Sequence, residues 1–137
     1  MSNTFRLRVL ASDKPFYEGE CISLTVPTLE GQRQFLAHHS NMIAALVPGV
    51  LHGTFPDSPP QTAAVSGGLL KVEDNEILVL VDTAERPEEI DANRAKRAEA
   101  QAREAILQKR SIQEYRAAQS TLARAINRLK VRQNYYK

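Results

Sequence analysis

The chain has 137 residues, of which 42% are hydrophobic and 25% charged, with a net charge of +2. A single cysteine, Cys21, excludes an internal disulfide, and with three histidines as the other soft ligands no zinc-binding spacing is present, so no metal site is expected. No apolar run approaches the ~20 residues that a membrane-spanning helix needs, which predicts that the chain does not itself span a membrane.

Residues 1–86 are dominated by a hydrophobic alternation of period two, which is typical of half-buried strands. The alternation begins at Phe5, Leu7 and Val9, a pattern that predicts a strand and not a signal peptide. It returns at Ile22, Leu24 and Val26, which alternate with Cys21, Ser23 and Thr25, and again at Ile77, Val79 and Val81. Turn signals separate these runs at Glu18-Gly19, Glu30-Gly31, Pro48-Gly49, Ser66-Gly67-Gly68 and Glu73-Asp74-Asn75. Many short strands without a helix among them predict an antiparallel β-sandwich or flattened barrel.

The hydrophobic period changes at Pro87, where a proline followed by acidic residues predicts the start of a helix. Alanines then recur every three or four residues at Ala92, Ala95, Ala98, Ala102 and Ala105. Ser111 and Glu114 have the spacing of a capping box, which predicts a second helix with an apolar seam of Tyr115, Ala118, Leu122, Ala125 and Leu129. A connection of about five residues around 108–111 predicts an antiparallel helical hairpin. We therefore expect two domains, residues 1–86 and 87–137.

The hairpin is rich in alanine, whose single methyl group buries far less apolar surface than a leucine side chain. We expect its two helices to pack closely but weakly, while their composition favours helix even when they separate. Marginal packing of stable helices is what a conformational switch requires, although a static hairpin is equally compatible with this composition.

The two predicted domains carry opposite charge. Residues 1–86 contain six Lys/Arg and ten Asp/Glu, a net charge of −4, whereas residues 87–137 contain twelve Lys/Arg and six Asp/Glu, a net charge of +6. A basic helix can bind nucleic acid, an acidic protein surface or a nucleotide. No aromatic stacking platform accompanies the charge, so nucleic acid is not expected as a partner. A β-sandwich interaction module with a basic helical arm for nucleic acid stays open as the alternative function.

Each helix also carries a pair of charged residues at helical spacing. Asp91 and Arg94 are three residues apart, and Arg124 and Arg128 are four apart, so each pair is expected on one helix face. Brought together, the arginines would form a cationic pocket for a polyphosphate, with Asp91 accepting from a ribose or an amino group. Two solvated pairs on exposed faces are the alternative that spacing alone leaves open.

An enzyme is not expected. The sequence offers no nucleophile with a matching base, no metal cluster and no phosphate loop, because no Lys-Ser/Thr and no helix follow Gly67-Gly68.

Two strings stand out beside the order of the elements. The first runs from Ser66-Gly67-Gly68-Leu69-Leu70-Lys71-Val72 through Val79-Leu80-Val81-Asp82-Thr83-Ala84 to Ile90-Asp91, and the second is Ile90-Asp91-Ala92-Asn93-Arg94-Ala95. Over essentially the whole chain, the order of elements and these strings resemble the epsilon subunit of the F-type ATP synthase. The second string is similar to that family's nucleotide-binding pattern of (Ile or Leu)-Asp-x-x-Arg-Ala. The resemblance implies a non-catalytic rotor subunit of the central stalk.

The resemblance also implies roles for individual residues. ATP, as a regulatory ligand and not a catalytic cofactor, would be held by Glu85, Ile90, Asp91, Arg94, Ala95, Arg124 and Arg128. Gln32 and His39 lie in the stretch that resembles the part meeting the gamma subunit and the membrane c-ring. In the basic second helix, Arg116, Lys130 and Arg132 would meet the acidic loop of the beta subunits.

The expected function is to couple gamma to the c-ring in proton-driven ATP synthesis and to inhibit ATP hydrolysis through a mobile, ATP-sensing hairpin. The expected location is peripheral, at the cytoplasmic face of a bacterial cell membrane, where the chain would be held by its partners.

Overall fold

The computed structural model describes residues 3–12, 14–107 and 112–135, and the chain divides into two compact units, Met1–Arg86 and Pro87–Lys137. In the first unit the described residues form ten strands: β1 (Phe5–Ala11), β2 (Pro15–Cys21), β3 (Ser23–Thr28), β4 (Gly31–Leu36), β5 (Met42–Leu46), β6 (Gly49–Thr54), β7 (Gln61–Val65), β8 (Gly68–Glu73), β9 (Glu76–Val81) and β10 (Ala84–Glu85). The second unit contains a 3-10 turn, Pro87–Glu89, and two helices, α1 (Ala92–Leu107) and α2 (Ile112–Tyr135).

The strands form one continuous sheet in the order β10-β7-β6-β3-β5-β8-β9-β1-β2, with β4 paired to β3 beside this path. The sheet curls on itself, so that the ring of Tyr17 in β2 packs against the ring of Phe55, the residue after β6, with 4.6 Å between the ring centroids. The predicted sandwich or flattened barrel is thereby confirmed. The pairing of β1 with β9 is parallel, while the other pairs are antiparallel. Side chains alternate alike in both kinds of ladder, so the period of two could not reveal this pair.

The core of the first unit lies between the inner faces of the curled sheet. The predicted inward residues of β1 and β9 are buried, as are those of β3. The alternation is wrong at one point, because Cys21 ends β2 fully buried and Ile22 is 37% exposed between β2 and β3. The chain breaks phase there, and the Cys21 thiol donates to the Ser23 carbonyl at 3.1 Å. Burial raises the pKa of this thiol to about 11.

Unusual backbone conformations and close backbone contacts occur at the connections between strands. Asp74 and Asn75 both have positive φ, 50° and 62°, and form the two-residue turn between β8 and β9. The predicted turn at Glu18-Gly19 is wrong, since both residues lie within β2 opposite β1. Ser66 and Gly67 join β7 to β8, and a Cβ at Gly68, the first residue of β8, would overlap the Leu80 carbonyl of β9. The glycine at position 68 therefore permits a close backbone approach and does not form a phosphate loop.

In the second unit the first α-helix begins later than its sequence signals predict. Pro87–Glu89 form only a 3-10 turn, and the α-helix starts at Ala92. Buried alanines recur seven residues apart on each helix, at Ala95 and Ala102 and at Ala118 and Ala125, so the predicted seam is present. The predicted capping serine, Ser111, and the connection at 108–111 lie outside the described residues, as do the side chains of Glu114 and Tyr115.

Candidate functional site

Asp91 occupies the N-cap position of α1. Its carboxylate Oδ1 accepts a hydrogen bond from the Arg94 backbone N–H at 3.0 Å, and its backbone carbonyl accepts from the Ala95 N–H at 3.0 Å. Hydrogen bonding to the Arg94 amide, and secondarily to the Asn93 amide, lowers the pKa of this exposed carboxyl. Asp91 therefore lies just outside the helix as its N-cap, and its carboxylate turns back to the Arg94 backbone N–H.

The end of α2 lies beside the turn that precedes α1. Arg132 donates from Nη1 to the Pro87 carbonyl at 3.4 Å. Since Pro87 precedes α1 by five residues and Arg132 lies near the C-terminus of α2, the helices run antiparallel, as predicted. At about 1.5 Å of rise per residue, this contact brings Ala125 near the level of Ala95 and Ala118 near that of Ala102.

The same register brings the polar residues of both helices to one end of the hairpin. Arg128 lies about one turn, and Arg124 about two turns, before Arg132, while Asp91 and Arg94 follow Pro87 at comparable distances. Arg124 is exposed and donates to the Ser120 hydroxyl at 3.4 Å, and Arg128 is half-buried. This end of the second unit thus presents three arginines beside the N-terminus of α1, where the helix dipole also favours an anion.

The other expected ATP-binding residues have different environments. Ile90 and Ala95 are buried, with 3% and 0% of their surface exposed, so in this structure their side chains serve packing. Glu85 belongs to the first unit, where it lies half-buried in β10 opposite Ala64 of β7.

Gln32 lies on β4, which pairs with β3 beside the main path of the sheet, and His39 follows that strand. Gln32 is exposed opposite Pro27. The His39 ring packs 4.9 Å from the Phe35 ring, and its Nδ1 lies 2.8 Å from the Ser40 carbonyl oxygen. The two residues thus belong to the same region of the sandwich, around β4.

The three basic residues expected to meet an acidic partner do not share one face of α2. Arg116 and Lys130 are both exposed and, at 3.6 residues per turn, lie about 40° apart around the axis. Arg132 lies about 160° from Arg116, in keeping with its hydrogen bond to Pro87. Arg132 therefore closes the hairpin, while Arg116 and Lys130 are presented to solvent.

An exposed apolar strip on the first unit was not predicted. On the outer face of β5, β8 and β9, Ala45 is paired with Leu69 and Leu69 with Leu80, and Ile43 follows on the same face of β5. Ile43, Leu69 and Leu80 are 69%, 51% and 43% exposed. The signal was present in the sequence, because Leu69-Leu70 and Ile77–Val81 are apolar at consecutive positions, which is typical of strands covered on both faces.

Neither a metal centre nor a membrane helix is found in the part of the chain that the structure describes. No three His, Cys, Asp or Glu residues among residues 3–12, 14–107 and 112–135 are grouped to hold a metal ion. No helix in these ranges combines the length and the hydropathy needed to cross a membrane.

Comparison with known proteins assigns the family. The model of the β-sandwich domain of the ATP synthase delta/epsilon chain matches residues 4–87, and that of its long α-helix domain matches residues 88–133. The chain belongs to the ATP synthase delta/epsilon family. Over 131 residues it is 37% identical to the ATP synthase epsilon chain of Clostridium novyi, covering 96% of this chain and 99% of that one. Over 135 residues it is 37% identical to the ATP synthase epsilon chain of Caldanaerobacter subterraneus, covering 98% of each.

Solved structures share the fold of this delta/epsilon chain. A chain in the Euglena gracilis mitochondrial ATP synthase structure of OSCP, F1 and c-ring has a TM-score of 0.77 at 22% identity, covering 90% of this chain and 78% of that one. A chain in the Tetrahymena thermophila mitochondrial ATP synthase structure of the central stalk and c-ring has a TM-score of 0.72 at 17% identity, covering 93% and 95%. The resemblance to the epsilon subunit is thus confirmed. An epsilon chain is a non-catalytic subunit, which agrees with the expectation that this chain is not itself an enzyme.

Proposed function

We propose that this chain, as an epsilon subunit, joins the gamma subunit to the c-ring through its sandwich and restrains ATP hydrolysis through its helical unit, with ATP as the regulatory ligand. The chain would then be peripheral, at the cytoplasmic face of the bacterial membrane, and held there by its partners. The observation that carries the proposal is the placement of Asp91, Arg94, Arg124 and Arg128 at one end of a weakly packed hairpin.

The apolar strip of Ile43, Ala45, Leu69 and Leu80 supports the adaptor role. Contiguous exposed apolar side chains on a sheet face are typical of protein interfaces and costly to leave in water. In a central-stalk subunit the occupant we propose for this strip is gamma, while Gln32 and His39, in the region of β4, contact the c-ring or gamma.

The composition of the hairpin supports the ATP-sensing role. Among the described residues of this unit the buried hydrophobic side chains are four alanines, Ile90 and Val131, so the packed arrangement is held by modest apolar surface. A ligand that binds only the packed hairpin stabilises it by RT ln(1 + [L]/Kd), about 2.7 kcal/mol at a hundredfold excess over Kd. An increment of this size is large enough to shift a marginal equilibrium between two hairpin arrangements.

The charge of α2 supports a separate contact with the acidic loop of the beta subunits. Arg116 and Lys130 are exposed on nearly the same face, away from the closing contact of Arg132. Such a contact would oppose hydrolytic rotation when the helices engage beta.

Titration calorimetry of the full chain with ATP tests the nucleotide site. We expect one ATP per chain, and a ten- to hundredfold loss of affinity for Arg124→Ala and for Arg128→Ala, because each removes a charge-assisted bond worth about 1.5–3 kcal/mol. Arg116→Ala is the matched control, since Arg116 lies eight residues, or about 12 Å of helix, before Arg124. No binding at millimolar ATP, or equal losses for all three variants, contradicts the site.

Reconstitution of an ATP synthase depleted of this subunit tests the other two contacts. Charge reversal at Arg116 and Lys130 should weaken inhibition of hydrolysis, more strongly at low salt, while ATP affinity is unchanged. Leu69→Ser should weaken rebinding of the chain and coupling, whereas Tyr135→Ser, an equally exposed apolar residue on α2, should not. Unchanged inhibition contradicts the contact with beta, and unchanged rebinding contradicts the strip as the gamma interface.

A further inference from the structure

The side chain of Asn75 links three segments at one end of the sandwich. Its Oδ1 accepts a hydrogen bond from the His38 backbone N–H at 2.7 Å, and its Nδ2 donates to the Thr4 carbonyl at 3.0 Å. Its backbone carbonyl accepts from the Arg6 N–H at 3.3 Å. The orientation of the amide follows from its partners, because a flipped amide would set donor against donor at His38 and acceptor against acceptor at Thr4.

The loop that Asn75 holds contains a residue with left-handed backbone. His38 adopts a positive φ of 64°, which is uncommon for a residue other than glycine. A second bond runs in the opposite direction, since Asn41 Oδ1 accepts from the Asp74 backbone N–H at 3.0 Å. Asn75 and Asn41 thus tie the segment after β4 to the turn between β8 and β9, with His39 between the two ties.

We propose that Asn75 is a positioning residue that fixes residues 37–41 in the conformation that docks the partner of His39. This inference rests on the proposed contact of His39 with the c-ring or gamma. Asparagine suits this position for two reasons. Its φ of 62° is tolerated by asparagine better than by most residues, and its amide supplies both the acceptor for His38 and the donor for Thr4.

Asp74 provides a matched control. It lies in the same turn with φ of 50°, and the bond that it makes to Asn41 comes from its backbone. Asn75→Gly and Asp74→Gly therefore relax the turn in the same way, and only Asn75→Gly removes the bridging amide. Asn75→Asp is a second variant, which keeps an acceptor for His38 and loses the donor for Thr4.

The test combines amide exchange of the full chain with its rebinding to an ATP synthase depleted of this subunit. For Asn75→Gly we expect the His38 amide to exchange about tenfold faster, and rebinding to weaken by a similar factor, as for the loss of two hydrogen bonds of ordinary net strength. Asp74→Gly should stay within about twofold of the parent in both measurements, and Asn75→Asp should retain His38 protection and most of the affinity.

The outcomes separate this inference from the contact on which it rests. If His39→Ala weakens rebinding and Asn75→Gly does not, the contact stands and the positioning role of Asn75 is refuted. If neither changes rebinding, the loop is not the docking segment and both fail. Equal behaviour of Asn75→Gly and Asp74→Gly also overturns the proposal, because the backbone freedom of the turn would then account for the effect. Equal behaviour of Asn75→Gly and Asn75→Asp overturns it as well, because the lost bond to Thr4 would then account for the effect.

Discussion

Replacing Gly68 by alanine tests whether glycine is needed at this position because β8 and β9 approach each other closely. Gly68 is paired with Leu46 of β5 on one side and Val81 of β9 on the other. A Cβ there would overlap the Leu80 carbonyl oxygen and lie 2.9 Å from both the Leu80 carbonyl carbon and Val81 Cα. These are backbone atoms that cannot rotate away, so β8 and β9 would have to separate by a distance on the order of 1 Å in a close-packed interior. We expect a destabilisation of about 3 kcal/mol or more, the upper end of overpacking costs.

The neighbouring Gly67 supplies the control for this substitution. A Cβ at Gly67 would meet only the Leu46 carbonyl oxygen, at 3.2 Å, and we expect Gly67→Ala to change the free energy of unfolding by at most about 1 kcal/mol. Urea titration of the full chain, followed through amide resonances of residues 4–86, measures both. Equal midpoints for the two variants would refute the steric argument and leave the glycine pair unexplained.

Three further predictions concern the helices and the buried thiol. Ala125→Leu should destabilise the hairpin by about 1–3 kcal/mol, whereas Ala123→Leu, on the exposed side of α2, should destabilise it by less than about 0.5 kcal/mol. Thermal unfolding followed by circular dichroism at 222 nm measures both, and similar values for the two variants would mean that the alanine seam is not tightly packed. The Asp91 carboxyl has a lowered pKa, so its stabilisation of α1 is present above about pH 4 and lost as the pH falls through that lowered pKa. The protection of the Arg94 amide, taken relative to its intrinsic exchange rate, should fall over the same range in the parent and show no such step in Asp91→Ala. The Cys21 thiol, with its pKa raised to about 11, should react with a thiolate-specific reagent far more slowly in the folded chain than in urea at pH 8. The free energy of unfolding should decline as the pH rises above about 8.5, because the thiol of the unfolded chain ionises there first. Rapid labelling of the native chain contradicts the burial of Cys21.

Much of the architecture could be predicted because it depends on local periodicity. The burial of Phe5, Leu7 and Val9 follows from the alternation along one strand, and that of Ala95 and Ala125 follows from helical spacing. A single-residue break such as that at Ile22 escapes the same reasoning, because the alternation reads continuously through a position where one strand ends and the next begins.

The candidate site could be predicted only in its residue types. Arg94, Arg124 and Arg128 were identified from spacing and resemblance, and the structure brings them to one end of the hairpin. The sequence pattern did not show that Arg132 closes the hairpin, because that bond joins residues 45 positions apart. The Asp91 cap is a local bond to the Arg94 amide, and it was missed because the helix was expected to start at Pro87.

The sequence by itself determined the sandwich followed by two helices, the alternating core positions, the alanine seam and the opposite charges of the two halves, since each arises from neighbouring residues and their period. Only the tertiary structure decided that β1 runs parallel to β9, that Leu69 and Leu80 meet on an outer face, and that Asn75 ties the segment after β4 to β1. These features join residues distant in sequence, and their geometry depends on which strands become neighbours when the sheet curls.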